Sequence, residues 1–259
     1  MGKIPVIVPC APQHIYLLED CIDGIRRNVT DGVSSICVVT PGRIVNAVKE
    51  LSLGGVDVVS EEDVVGFSKQ DFYGMQQSIG GNWLYQQLIK VCAGTVYNEK
   101  KYLTVDADHY LLRPHTFIEE GKTNYYITND QKIQYKVSAD RLLGINVPMY
   151  NLCFITEKML FDTEIVEAMK QSIENNIGMQ WHEAIRSVHS ISTPFSEFIT
   201  YANFAFIMRP DSSNKVHTTL KFGFGIPKKD EHTLRNSAER SGNCDSFTLI
   251  SSIGKFPSV

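Results

Sequence analysis

The chain has 259 residues, 43% of them hydrophobic and 21% charged, enough to bury a sizeable core in one large or two small domains. A net charge of −4 excludes a general nucleic-acid footprint, although the part from Lys215 onward is mildly basic, with seven Lys or Arg against four Asp or Glu. No run approaches the ~20 apolar residues of a membrane span.

The six cysteines are scattered with no C-x-x-C pair, which reads as reduced thiols in a cytosolic protein. The first apolar run is too short for a secretory signal. The expected location is the cytoplasm, with peripheral contact at the inner face of the membrane through the basic C-terminal part.

In chain order, Lys3 to Val8 is a short apolar run ended by Pro9 and predicts a buried strand. A helix opens at Ala11-Pro12-Gln13, with Ile15, Leu18, Ile22 and Ile25 at helical spacing. Ser35 to Thr40 is a second strand, the Ile44 to Leu51 stretch a second helix, and Val56 to Val59 a third strand. This β-α-β-α-β order predicts a mostly parallel sheet covered by helices. Glu61 to Ile79, with Lys69 and a Gln76-Gln77 pair, reads as a long polar loop. A helix then runs from Trp83 to Ala93 with Asn82 as its N-cap. Trp83, Gln87 and Lys90 share one of its faces.

The next strand carries the chemistry. Leu103, Val105 and Ala107 alternate with Tyr102, Thr104, Asp106 and Asp108, so a strand running through Asp108 would point both carboxylates the same way, about 7 Å apart. Pro114 stops the ladder. Paired carboxylates at the carboxyl end of an apolar strand lie where open α/β sheets bind ligands. Hard oxygens so placed favour Mn²⁺ or Mg²⁺, completed by substrate phosphates. Asp108 is the expected main metal ligand, and Asp106 the ligand through water or the contact to a ribose. The backbone of Pro9, Cys10 and Ala11, ending the first strand, would border a nucleotide base.

After Pro114 the pattern changes. Tyr125, Ile127, Ile133 and Tyr135 around Asn129-Asp130 read as a hairpin. Met149 to Thr156 reads as a strand, Lys158 to Asn175 and Trp181 to Val188 as helices, and Phe195 to Met208 as an apolar stretch opened by Ser196. Thr218 to Ile226 reads as a last strand, and Lys228 to Asp245 as a polar, mobile segment.

Three blocks carry a resemblance: Gly81-Asn-Trp-Leu-Tyr-Gln-Gln-Leu-Ile-Lys-Val91, Tyr102-Leu-Thr-Val-Asp-Ala-Asp108 and Phe195-Ser-Glu-Phe-Ile-Thr-Tyr201. In order and spacing they resemble an uncharacterised bacterial family of the DUF6492 type, itself similar to glycosyltransferases of the GT-A fold. Ala107 stands where that family often has serine. The resemblance implies a single GT-A-like domain over 1–259, with 1–113 as the nucleotide-sugar half and 114–259 as the acceptor half. It implies a metal-dependent transferase acting from a nucleotide-diphosphate sugar, a UDP-sugar first of all, on a glycan or lipid-linked acceptor in surface polysaccharide synthesis. Gln87, Lys90 and Asp106 would join Pro9, Cys10 and Ala11 at the donor, and His217 would be a late third metal ligand. Glu197, in the first turn after Ser196, would be the general base. The competing readings are a nucleotide-sugar-binding module without turnover, an Asp-X-Asp phosphatase and a nucleotidyltransferase.

Overall fold

The computed structural model describes residues 2–73, 80–130, 132–149, 151–224, 236–240, 242 and 244–250. All of β1 (Ile4–Pro9) is buried. Its Val6 and Val8 face one side of the sheet and Ile7 the other, as period-two alternation requires. A 3₁₀ turn over Pro12–Leu17 leads into α1 (Leu18–Asn28), which buries Leu18, Cys21, Ile22 and Ile25 on one stripe. In β2 (Val33–Thr40), Ile36 and Val38 join that stripe while Cys37 and Val39 face away. Then come α2 (Val45–Glu50) and β3 (Val56–Ser60). The order β-α-β-α-β is therefore as expected.

The polar stretch after β3 is not a plain loop. It contains α3 (Glu61–Val64), where the Ser60 hydroxyl accepts from the Asp63 N–H at 3.3 Å, and α4 (Gln70–Tyr73). Residues 74–79, with the Gln76-Gln77 pair, lie outside the described residues. Next is α5 (Gly81–Cys92), entered through Gly80 at φ 69, so Asn82 sits inside the helix instead of capping it. A left-handed φ at that position is natural only for glycine.

The strand β4 (Lys101–Val105) stops one residue before Asp106, and β5 (His109–Leu111) belongs to another sheet. The hairpin expected at Asn129-Asp130 is absent there. The hairpin in this region joins β6 (Ile118–Glu119) to β7 (Lys122–Ile127) through Glu120 at φ 50 and Gly121 at φ 80, two left-handed residues that give the tight turn its twist. Ile133 and Tyr135 instead open α6 (Ile133–Leu143). Along Met149–Thr156 the described residues show only an isolated bridge from Cys153 to Thr128, not a strand.

The expected helix from Lys158 begins five residues late. Lys158 to Asp162 are all buried and form β8 (Lys158–Asp162), and Asp162 then caps α7 (Thr163–Ile177) by accepting from the Glu164 N–H at 3.1 Å. A buried run of five suits a strand, and the Asp N-cap was the signal for the true helix start. The chain continues through α8 (Trp181–Val188), α9 (Glu197–Met208), β9 (Ser213–His217), β10 (Leu220–Phe224) and β11 (Ser246–Ile250). Residues 225–226 of the expected last strand, and 228–235, 241 and 243 of the polar segment, lie outside the described residues.

The central sheet runs β3-β2-β1-β4-β8, parallel except for β8, which pairs antiparallel with β4. Helices flank it: α1 and Val48 of α2 cover one face, and α5 to α9 cover the other. The segments 1–113 and 114–259 share this sheet, since β8 comes from the second and extends it beside β4. Helix α9 is buried from Glu197 to Phe206, as a core helix should be, with Glu197, Thr200 and Asn203 among its buried residues. Two small sheets, β10-β11-β5 and β6-β7-β9, complete the described fold.

Candidate functional site

Strand order reverses between β1 and β4, and chain ends there open a crevice at the carboxyl edge of a parallel sheet. A cleft of about 530 Å³ lies at that edge. Pro9, Cys10 and Ala11 line it, together with Pro41 to Arg43 after β2, Glu61 and Glu62 after β3, and Asn82, Tyr85 and Gln86 of α5. The Thr40 hydroxyl donates to the Cys10 carbonyl at 2.8 Å and so ties the β1 and β2 ends together. Lys69 pairs with Glu61 at 2.6 Å and lies over the Tyr85 ring.

The Asp-X-Asp residues sit at the corner between β4 and β5, not on a continuous strand. Three backbone bonds fix the corner: Asp106 N–H to the Glu157 carbonyl (3.0 Å), His109 N–H to the Asp106 carbonyl (2.9 Å) and Leu249 N–H to the Asp108 carbonyl (2.9 Å). The alternation argument that set the two side chains on one face therefore does not apply. Asp106 turns inward, and its carboxylate meets the Lys90 ammonium at 2.6 Å. Asp108 lies 3.9 Å from His14, which follows the cleft-lining Gln13 in the chain.

Lys90 is the centre of the arrangement. Its ammonium is 1% exposed and contacts Asp106 at 2.6 Å and Glu197 at 2.9 Å. Burial opposes its charge, but the two carboxylates outweigh that and hold its pKa above the ordinary lysine value. With its amide nitrogen turned toward Glu197, Gln87 donates to the same carboxylate. Glu197 is wholly buried at the first turn of α9, where Ser196 caps the helix by accepting from the Ile199 N–H at 3.3 Å. Burial pushes its carboxyl up, against the pull of Lys90.

Two expected roles meet a buried setting. Lys90 and Gln87 were expected at the donor, yet both are buried and spend their polar atoms on Glu197 and Asp106. Glu197 was expected to face an acceptor hydroxyl, and an ammonium occupies that position instead. For Glu197 to take an acceptor proton at hydrogen-bond distance, its contact with Lys90 would first have to loosen.

Glu157 is the residue that the sequence reading missed. It has a left-handed backbone, φ 59, which is costly for a non-glycine residue and marks a constrained position. Burial, then Asp106, raises its carboxyl well above the ordinary value, and its side chain hydrogen-bonds with that of Asp106. The residue lies between two runs that read as a strand and a helix, and no periodic or spacing signal distinguishes it.

Of the two Asp-X-Asp carboxyls, Asp108 is the one without a lysine ammonium in contact. Asp106 is already neutralised by Lys90, whereas the Asp108 carboxyl is pushed up to about 7, first by burial and then by Asp106, and keeps 16% of its side chain exposed. His217 does not join it. It is exposed at the end of β9, beside Ile127 in a different sheet, and among the described residues no three His, Cys, Asp or Glu side chains converge as a metal cluster.

The raised Asp108 carboxyl makes a testable difference. Between its unfolded value near 3.8 and about 7 the folded state holds a proton that the unfolded state has lost, so its contribution falls as pH rises through that window. In EDTA, wild type should therefore lose stability relative to Asp108→Asn between pH 4 and pH 7, by at most about 4 kcal/mol. Chemical denaturation at each pH measures it, and parallel curves would show that Asp108 ionises freely.

All six cysteines are buried with free thiols, and no described helix is long and apolar enough to cross a membrane. The chain belongs to DUF6492, a family of unknown function whose model matches residues 22–235. No curated protein matches the sequence. Among solved structures it is similar to mouse xyloside xylosyltransferase 1 in its apo form, at 9% identity and TM-score 0.46 over 95% of this chain and 97% of that one. It is also similar to the WbbM bifunctional glycosyltransferase in its apo form, at 11% identity and TM-score 0.46, covering 98% of this chain but only 46% of that one.

Proposed function

We propose that this member of DUF6492 is a glycosyltransferase that binds a nucleotide-diphosphate sugar, with a UDP-sugar as first choice, in the cleft at the carboxyl edge of its sheet. The observation that carries the reading is the cleft itself, at the reversal of strand order and at the carboxyl ends of β1, β2 and β3. Pro9, Cys10 and Ala11 would border the base, and the exposed guanidinium of Arg43 at the rim would meet phosphate. Asp108 would hold Mn²⁺ or Mg²⁺, which when bound stabilises the charge on a departing diphosphate. Asp106, pinned by Lys90 and Glu157, would keep the corner rigid and reach the donor ribose or a metal-bound water. Glu197 acts as the anchor of Lys90. The acceptor would be a glycan or lipid-linked sugar, with the enzyme working in the cytoplasm, at the inner membrane face, in surface polysaccharide synthesis.

One observation favours a second reading, a binding module without turnover: the expected base, Glu197, is fully engaged. Calorimetry and donor hydrolysis decide between them. UDP should bind at least about tenfold more tightly with Mn²⁺ than in EDTA, and Asp108→Asn should erase that difference (tenfold is 1.4 kcal/mol). Equal affinities would remove the metal, and no binding in either condition would remove the donor cleft. Mn²⁺-dependent release of UDP from any of a panel of UDP-sugars supports the enzyme, and tight binding without release supports the module.

A further inference from the structure

Helix α5 divides its side chains between two sides. Asn82, Tyr85, Gln86 and Ile89 line the cleft, while Trp83, Gln87 and Lys90 follow the adjoining stripe down to Glu197. Trp83 is half-buried at the open end of that stripe, one helical turn from Gln87, or about 6 Å along the axis. Its ring stacks on His189, 5.7 Å between centroids at 29°, and meets Tyr135 at 6.3 Å and 60°. Tyr135 is also half-buried, and its hydroxyl pKa is raised by burial, then by the nearby Glu197 and Glu157 carboxyls.

The support beneath these rings is rigid. His189 is buried and its Nδ1 accepts the Phe195 N–H at 2.9 Å, two residues before Glu197. The following loop is closed on itself: the Ser190 hydroxyl bonds the Thr193 hydroxyl at 2.7 Å and accepts the Thr193 N–H at 3.0 Å, and the Thr193 hydroxyl donates to the Val188 carbonyl at 2.7 Å. That loop holds Ile191 outward at 59% exposure, and Ile133 stands outward at 52% two residues before Tyr135.

We propose that Trp83 and Tyr135 form a carbohydrate-binding platform, the subsite for an acceptor sugar ring. This deepens the glycosyltransferase reading and rests on it. A purely core pair would be covered, and a pair made for a purely apolar ligand would not share a helical stripe with Gln87 and the Lys90 carboxyl cluster two turns on. A sugar ring has an apolar C–H face and a rim of hydroxyls, so it matches partly buried aromatic rings bordered by polar groups. Amphipathic aromatic side chains held rigid supply such contact area at low entropic cost. His189 joins the platform to the Glu197 turn, so a ring seated on Trp83 is registered against the Asp106 corner. The cleft residues Asn82, Tyr85, Gln86 and Ile89 lie on the neighbouring stripe of the same helix, so donor and acceptor would flank α5 side by side.

The test uses the full chain on an array of immobilised glycans, with UDP affinity in Mn²⁺ measured in parallel. Wild type should retain a subset of glycans. Trp83→Ala and Tyr135→Ala should each lower that binding at least tenfold with UDP affinity unchanged, and Trp83→Phe should retain most of it. No glycan retained by wild type, or retention insensitive to both alanine variants, overturns the platform even where UDP binds normally. Selective loss of lipid-linked over free glycans in Trp83→Ala would assign the rings to the lipid chain and overturn the sugar assignment. Should Trp83→Ala fail to fold, Tyr135→Ala and Trp83→Phe carry the decision. Failure of UDP to bind wild type, with glycan binding intact, would instead count against the donor cleft alone.

Discussion

Lys90→Met should be the most damaging single substitution in the described site, lowering stability by about 3–5 kcal/mol. The ammonium it removes is the shared counter-charge of Asp106 at 2.6 Å and Glu197 at 2.9 Å, and Glu197 has no exposure to water through which to recover solvation. Methionine fills the volume but leaves two buried carboxyls facing each other. Glu197→Gln alone should cost less, because Gln87 can still bond to the amide and Lys90 retains Asp106. The double variant Lys90→Met with Glu197→Gln should therefore be more stable than Lys90→Met itself, a non-additivity that a double-mutant cycle in denaturant measures directly. Additive losses would mean that the lysine acts through packing alone, for instance over the Phe198 ring at 4.5 Å. Should Glu197 be the base after all, Glu197→Gln would abolish turnover with Lys90 and the fold undisturbed.

How far the sequence reached follows from what its signals physically encode. The strands β1, β2 and β4 were legible because they are apolar on both faces, and a run such as Val6-Ile7-Val8 admits few other structures. The cleft residues followed from the strand ends, since a parallel sheet places its ligands there whatever the sequence of the loops. The Lys158 strand was read as a helix because five buried residues lack any period, and only the Asp162 cap marks the change. The Asp-X-Asp corner was read as strand for a related reason: alternation continued through Ala107, but Asp106 N–H bonds to Glu157, fifty-one residues away, and that bond ends the ladder. Long-range partners of this kind leave no local trace. The same holds for Lys90. A lysine on a helical stripe reads as half-solvated, and only the arrival of α9 from residue 197 shows that it is enclosed. The three blocks that carry the family resemblance, around Lys90, Asp106 and Glu197, prove to be the three arms of one ion cluster, which gives their joint occurrence a structural reason.

The pH dependence of stability should expose a second buried lysine. Lys158 is 1% exposed, with its ammonium nitrogen 3.0 Å from the Ser246 hydroxyl, 3.4 Å from the Thr156 carbonyl and 3.5 Å from His109 Nε2. Burial dominates its environment and lowers its pKa to about 7, although Asp245 and Glu157 act to raise it. His109, fully buried and held by Thr248 at 2.8 Å, is pushed well below its ordinary value by burial and then by Lys158, so it stays neutral. Above about pH 7 the folded state has released the Lys158 proton while the unfolded chain keeps it up to about 10.5. The unfolded state thus binds more protons across that window, and the stability of wild type relative to Lys158→Met should rise as pH increases from 7 toward 10. The full span is at most about 4–5 kcal/mol, at 1.36 kcal/mol for each pKa unit. Below pH 7 the lysine enters the fold charged and without an ion-pair contact as close as those of Lys90, so there Lys158→Met should match or exceed wild type. Ser246→Ala, which removes a hydroxyl 3.0 Å from the nitrogen, should deepen the wild-type deficit at pH 7 without altering its slope. Urea titrations at half-unit steps give the difference curve; a flat difference from pH 7 to 10 would mean that Lys158 stays charged inside the fold, and that the polar groups around it solvate an ammonium as well as water does.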